Sequence, residues 1–415
     1  MKNLALTGGY PVTVKPFPTW PMFGDGERDG LLRVLESGKW GSTKGQEVSS
    51  FERRFADFHN AEYGTATTNG TTALAIALKS AGIGPGDEVI LPGYTFVSSA
   101  TAILDVLAKP MFVDIDLETL NIDPESVMHA LTPRSKAILP VHFGGRPADM
   151  DRLKTIAEDH HLRIIEDACQ AWGSVYKSRH VGTFGDAGCF SFQSSKNITC
   201  GEGGIILTND PNIAETSRSI SNCGRTKDGL WYAHYNYGGN YRLTEFQGAI
   251  LHAQLDRYPS LHKQREEAAR FLFDRIEEIE GYINLTLLDR ESRSSWHIFA
   301  FRLDSASWGE ISKEKIVEAI RAEGIPISPG YSLPVYKQPL FTERNFGAKG
   351  GATVCFEQDF PDFSRFYLPR AEKACFKETL WLTQNILLAD EEMLSFIIDA
   401  LSKVFKCKGQ LIEDS

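Results

Sequence analysis

Short apolar runs at 88–91, 111–114, 137–141 and 163–166 alternate along the chain with helical patterns at 73–81, 98–107 and 150–159. Strands separated by helix-length segments pair in parallel, because a parallel crossover needs a dozen or more residues and a helix supplies them. A parallel sheet carries helices on both faces, so an α/β fold is expected. Two further strand candidates, 188–192 and 203–208, lie on either side of a Gly-rich loop. Beyond Tyr258 the pattern turns helical over 261–279, then mixed, and ends in a last helix. The expected division is a large domain at 1–255, with an N-terminal arm, and a smaller C-terminal domain at 256–415.

Composition removes several classes of function. With 44 Lys and Arg against 54 Asp and Glu, the formal charge is −10, which argues against coating nucleic acid or an anionic membrane. Seven cysteines, odd in number and without a CxxC pair, fit reduced thiols rather than a disulfide framework or structural zinc, so no metal is expected. No stretch approaches the roughly 18 apolar residues of a membrane span; the most apolar helical segment, 393–405, carries Asp399 and Lys403. Residues 1–20 lack the apolar run of a signal peptide and contain Pro11, Pro16 and Pro18. A cytoplasmic protein is expected.

Four segments carry candidate chemistry. Lys196 lies between two strand candidates, among small polar residues and just ahead of the glycines of 201–204. A lysine held near buried strands loses solvation, its pKa falls, and its amine becomes a nucleophile for carbonyls, which suits Schiff-base chemistry. Asp167 ends the apolar run 163–166, and ligands of a parallel sheet gather beyond the carboxyl ends of its strands. A carboxylate there can pair with a protonated ring nitrogen, as pyridoxal phosphate requires to remain an electron sink. Asp167 also reads as a helix cap. Thr67–Thr72 offers hydroxyls and Gly70 at a helix start, a seat for phosphate or simply a cap. Pro92–Phe96 follows a strand and supplies aromatics that could stack on a flat ring or fill core. Taken in this order on a parallel sheet, the four describe a pyridoxal phosphate site. Competing motifs fail: Gly82–Gly86 precedes a strand where a dinucleotide loop must follow one, and neither a P-loop nor an HExxH sequence is present.

At these residues the chain resembles the DegT/StrS-type sugar aminotransferases of the aspartate-aminotransferase, or fold type I, superfamily. The likeness runs from about Trp20 to the C-terminus and rests on Thr68-Asn-Gly-Thr-Thr72, Glu166-Asp-Ala-Cys-Gln-Ala171, Ser191-Phe-Gln-Ser-Ser-Lys196, Gly201-Glu-Gly-Gly204 and Gly239-Asn-Tyr-Arg-Leu-Thr-Glu-Phe-Gln247. Phe17-Pro-Thr-Trp-Pro21, Asn222-Cys-Gly-Arg225 and Leu333-Pro-Val-Tyr-Lys-Gln-Pro-Leu340 are most similar to the aminocyclitol branch, which holds scyllo-inosose aminotransferases and 3-amino-5-hydroxybenzoate synthases.

The resemblance implies a mainly parallel seven-stranded sheet flanked by helices, with a smaller α+β domain. It implies pyridoxal 5′-phosphate bound through Lys196, with Asp167 on the ring nitrogen and Gln170 near the ring's 3-oxygen. Thr71 and Thr72, through backbone N–H groups, and Ser191, through its hydroxyl, would hold the phosphate. Phe96 takes the ring-stacking place, often Trp in the family. Asn240 would reach the cofactor of a neighbouring subunit, which implies a homodimer with sites at its interface. The implied reaction moves an amino group from glutamate or glutamine to a keto-sugar or keto-cyclitol, with Lys196 as general base. Alternatives are an aromatising dehydratase of the aminohydroxybenzoate type and a non-catalytic cofactor-binding regulator. Arg225, Arg242 and Lys337 could meet a nucleotide diphosphate or a substrate carboxylate, although such residues are more often surface or inter-subunit salt bridges. His142, which follows a strand, reads equally as a border of the acceptor pocket or as a satisfied structural histidine.

Overall fold

The computed structural model describes residues 3–230, 232–288, 291–346 and 360–412. Seven strands, β1 Tyr63–Thr67, β2 Glu88–Pro92, β3 Lys109–Val113, β4 Ser135–Ile138, β5 Arg163–Asp167, β8 Ala187–Ser191 and β9 Gly204–Thr208, form one sheet in the order β1-β9-β8-β5-β4-β2-β3. Two short strands, β6 Val175–Tyr176 and β7 Arg179–His180, make a separate ribbon. Only β9 runs against the others in this sheet, so it is mainly parallel, as expected.

Burial on both faces explains why the strands read as unbroken apolar runs. Ile90, Ile138, Ile164, Ile205 and Leu207 enter one core cluster. Their neighbours Val89, Ala137, Ile165 and Ile206 enter the cluster on the opposite face. The period of two is intact; both phases of it are apolar. Helices α1 Asp25–Ser37, α2 Glu47–His59, α3 Gly70–Ser80, α4 Ser98–Asp105, α5 Pro124–His129, α6 Met150–His160 and α7 Pro211–Ser221 connect and cover the strands. The sequence patterns at 73–81, 98–107 and 150–159 correspond to α3, α4 and α6. Strand β1 carries Gly64 and three Thr or Tyr residues, so it lacks an apolar signature and went unread.

Helix α8, Glu245–Glu277, begins in a capping box between Thr244 and Gln247 and continues unbroken through residue 255. Its first half packs on α1 and α2, and Ala268, Ala269, Leu272 and Ile276 of its second half enter the core of the C-terminal body. That body is α+β: the antiparallel strands β10 Tyr282–Asn284, β11 Ile298–Leu303 and β12 Thr379–Thr383, covered by the helices Lys313–Ala322 and Glu391–Lys406. The first residues of the N-terminal arm reach this body. Leu4 lies in this core. The buried Glu323 carboxylate accepts the Ala5 and Val12 amides at 2.9 and 3.1 Å and pairs with Lys403 at 2.7 Å. No helix among the described residues is long and apolar enough to cross a membrane.

Candidate active site

The carboxyl ends of β1, β2, β5 and β8 share one edge of the sheet, and a cavity of about 650 Å³ opens there. Each strand hands over a different group. After β1, Asn69 caps α3; after β2 come Thr95 and Phe96; β5 ends on Asp167; β8 ends on Ser191 and leads to Lys196. All of these residues line the cavity, as do Thr71, Thr72 and Gln170. The structure therefore brings together Lys196, Asp167, Thr71, Thr72, Phe96, Gln170 and Ser191 on one cavity, while Asn240 lies outside it.

The α3 end of the cavity is built for an anion. The first amides of a helix have no intrahelical acceptor, and the helix dipole favours negative charge there. Asn69 Oδ1 accepts the Thr72 amide at 2.8 Å, so this amide, expected to meet the phosphate, is already engaged. The amides of Gly70 and Thr71, the Thr72 side chain and the Ser191 hydroxyl are what the helix start presents. A Cβ on Gly70 would stand 2.8 Å from Ser191 Cβ and 2.9 Å from Cys169 Sγ, so glycine is what lets the helix start approach Ser191 this closely.

Asp167 is buried. Its Oδ1 accepts the Cys169 amide at 3.1 Å and its Oδ2 accepts the Ser99 hydroxyl at 2.7 Å. Gln170 is fixed by the Gly144 amide, which donates to Oε1 at 2.7 Å. Lys196 is half-buried, its amine 5.8 Å from the Trp172 ring centroid, and its carbonyl accepts the Trp20 indole N–H at 3.1 Å. Burial lowers the pKa of its ammonium, against the opposing pull of Cys169 and Asp167. The same burial pushes the Cys169 thiol well up, so it stays protonated beside the lysine. His297 is held neutral by burial and by nearby Lys196 and Arg265. Its Nδ1 bonds Asn197 Oδ1 at 2.9 Å.

Other candidates fall elsewhere. His142 is fully buried; its Nδ1 accepts the Ala148 amide at 3.1 Å and its Nε2 therefore donates to Glu166 at 3.0 Å. It is a core histidine that does not line the cavity. Arg242 donates to Asn222 Oδ1 at 2.9 Å, and Lys337 pairs with Glu372 at 2.9 Å. Neither they nor Arg225 line the cavity. Asn240 is exposed and bridges to Asn222 outside the cavity of its own chain. Sequence reasoning missed Ser99, Cys169, Glu202, His297 and Tyr331, all of which line the cavity. Thr95 stood inside the Pro92–Phe96 motif without a role of its own.

A lysine freed of solvation, a buried carboxylate at a strand end and an anion seat at a helix start, on one edge of a mainly parallel sheet, are the donor set that pyridoxal phosphate needs, and the close approach at Gly70 fits its phosphate. The site defines a pyridoxal phosphate enzyme of fold type I. Residues 23–355 match the DegT/DnrJ/EryC1/StrS aminotransferase family. The L-glutamine:2-deoxy-scyllo-inosose aminotransferase of Streptomyces kanamyceticus is 36% identical over 99% of this chain and 98% of its own. The crystal structure of 3-amino-5-hydroxybenzoic acid synthase superposes with a TM-score of 0.83 at 34% identity, covering 94% of this chain and 98% of that one. NtdA of Bacillus subtilis, solved with bound cofactor PMP, gives 0.79 at 26% identity over 96% and 87%. The chain belongs to the DegT/DnrJ/EryC1/StrS aminotransferase family and is a pyridoxal phosphate-dependent aminotransferase.

Proposed function

We propose that this enzyme transfers the amino group of L-glutamine to the ketone of a cyclitol, and that it works as a cytoplasmic homodimer. The observation that carries the reading is the convergence of Lys196, Asp167 and the α3 start on one cavity. Likeness to the inosose aminotransferase over nearly the whole of both chains supports the choice of donor and acceptor.

When bound, the cofactor supplies a ring that takes up the electron pair released at the donor's α-carbon. The residues of this chain do the rest. The Gly70 and Thr71 amides, the Thr72 hydroxyl and Ser191 would bind its phosphate, and Phe96 would cover a ring face. The Asp167 carboxylate would accept a hydrogen bond from the protonated ring nitrogen and hold positive charge there. Lys196 would hold the cofactor covalently through its amine and, once displaced by the amino group of the donor, would take the proton from the donor's α-carbon and pass it to the cofactor, its ammonium form being disfavoured by burial. Gln170, whose Oε1 accepts the Gly144 amide and whose Nε2 donates to the Tyr331 hydroxyl at 3.5 Å, would lie near the ring's 3-oxygen.

Support for the dimer lies at 226–241. Leu230, Tyr232, Tyr235 and Tyr237 are exposed, Tyr237 by 89%. Apolar surface of this kind marks a contact face, and Asn240 stands at its end. In this reading Asn240 enters the partner's cavity and completes the phosphate seat. Cys169, Cys189, Cys200, Cys223 and Cys375 are free thiols, in keeping with a reducing compartment.

The test is incubation with L-glutamine and either 2-deoxy-scyllo-inosose or a nucleotide-linked keto-sugar, with products weighed by mass spectrometry. Amine formed on the cyclitol is the expected result. Amine formed solely on the nucleotide sugar would refute the acceptor, and an aromatic dehydration product would favour the reaction of the aminohydroxybenzoate synthase instead.

A further inference from the structure

Asp167 does not stand alone against the cofactor. Its Oδ1 is held by a main-chain amide, that of Cys169, and its Oδ2 by the Ser99 hydroxyl at 2.7 Å. Ser99 lies in the first turn of α4, where a serine hydroxyl ordinarily bonds to backbone groups close in sequence. Here it reaches a residue 68 positions away instead. Behind it, Thr95 Oγ1 lies 2.9 Å from Ser99 Oγ. An ionised carboxylate accepts and cannot donate, so Ser99 must give its proton to Asp167. Its oxygen is then free to accept, and the Thr95–Ser99 bond must be donated by Thr95. All three residues are buried.

Resting on the pyridoxal phosphate reading above, we propose that Thr95 and Ser99 form a one-way hydroxyl relay that positions Asp167 and keeps the negative charge on it, so that the proton of the Asp167–ring-nitrogen pair stays on nitrogen. The physical reason is that a donor to a carboxylate favours its charged form, and that chained hydrogen bonds polarise one another. Without the relay the pair drifts toward a neutral ring nitrogen facing a protonated acid, and the ring takes up electrons less readily. Ser99 and Thr95 act through Asp167 in this account and are positioning residues.

Ser99→Ala, Ser99→Cys and Thr95→Val, each loaded with cofactor carrying nitrogen-15 in the ring, test the relay by the nitrogen resonance, the kcat and the KM for the amino donor. Losing a hydrogen bond to a charged group should lower kcat about 10-fold or more in Ser99→Ala. KM should hold within about 2-fold, because the group acts after binding. The nitrogen resonance should move toward its unprotonated position. Ser99→Cys, with its weaker donor, should fall between, and Thr95→Val should shift the resonance the same way by less. The relay is overturned if Ser99→Ala keeps the wild-type resonance, whether or not kcat falls, since a purely structural serine would lower activity without moving it. If Ser99→Ala does not fold, Thr95→Val decides by the same resonance, and an unmoved signal there overturns the relay equally. A wild-type protein that binds no cofactor contradicts the function itself, a failure visible before any variant is made.

Discussion

At the scale of single residues, Lys196 and Gly70 separate two contributions to the site. Lys196→Ala removes the amine that carries both covalent attachment and proton transfer, so turnover should fall by about 10⁴-fold or more, at the upper end of general acid–base effects because two roles go together. Folding should survive, as the side chain is half-buried and its loop is held through main-chain atoms, including the carbonyl that takes the Trp20 indole N–H. Gly70→Ala acts without touching the chemistry. The added Cβ, 2.8 Å from Ser191 Cβ, must push the helix start off the serine. The expected outcome is weaker cofactor binding by about 10-fold, one misplaced charge-assisted contact, read by equilibrium dialysis. Unchanged affinity would remove α3 from the phosphate seat. Lys196, Asp167 and Thr71 were legible at this scale because each sits at a strand-to-helix or strand-to-loop junction whose local pattern is visible. Ser99 and Tyr331 were not: Ser99 meets Asp167 only through the fold, and Tyr331 comes from the C-terminal body.

Elements explain why some segments could be read and others could not. Strands β2, β4 and β5 announce themselves because both faces are buried, whereas β1 is written in Tyr, Gly, Thr and Ala and is recognised only by its pairing with β9. The N-terminal arm gives no pattern at all. It is held by Glu323, a buried carboxylate that satisfies two arm amides and the Lys403 ammonium at once. Glu323→Gln leaves Lys403 without its counter-charge and should cost about 3 kcal/mol, the scale for breaking a buried pair by removing one partner. Urea melts of the variant and wild type measure this. A loss below about 0.5 kcal/mol, typical of exposed pairs, would show that the arm is not anchored there. Because Trp20, at the far end of the arm, donates to the carbonyl of Lys196, detachment should also broaden the lysine loop's behaviour and lower cofactor affinity.

For the whole molecule, acid sensitivity follows from buried neutral histidines. His59 is fully buried against Phe55 and Phe190; its Nδ1 meets the Phe55 carbonyl at 3.0 Å and its Nε2 accepts the Gly173 amide at 3.0 Å. Burial, with a smaller push from His180, lowers its pKa from 6.5 to about 3. The unfolded chain therefore takes up a proton near pH 6.5 that the folded one refuses. The stability due to His59 is complete above that pH and drains away as the pH falls from 6.5 toward 3, by up to about 1.4 kcal/mol per pH unit. Urea melts at pH 7.5 and 5.5 should show the loss, and His59→Phe, though weaker at pH 7.5, should show a shallower slope. Equal slopes would contradict a neutral core histidine.

The same scale holds the proposed dimer: sedimentation should find two chains, and Tyr237→Asp, a charge on an exposed aromatic, should release monomers with impaired turnover. A fully active monomer would take Asn240 out of the site. The central claim, that Lys196 and Asp167 run amino transfer on pyridoxal phosphate, is tested most directly by an absorbance spectrum. The purified enzyme should show the visible band of lysine-linked cofactor, lose it when L-glutamine is added and recover it when a keto-cyclitol follows, while Lys196→Ala shows neither band nor conversion. A wild-type protein whose visible band L-glutamine and L-glutamate both leave unchanged would contradict the account.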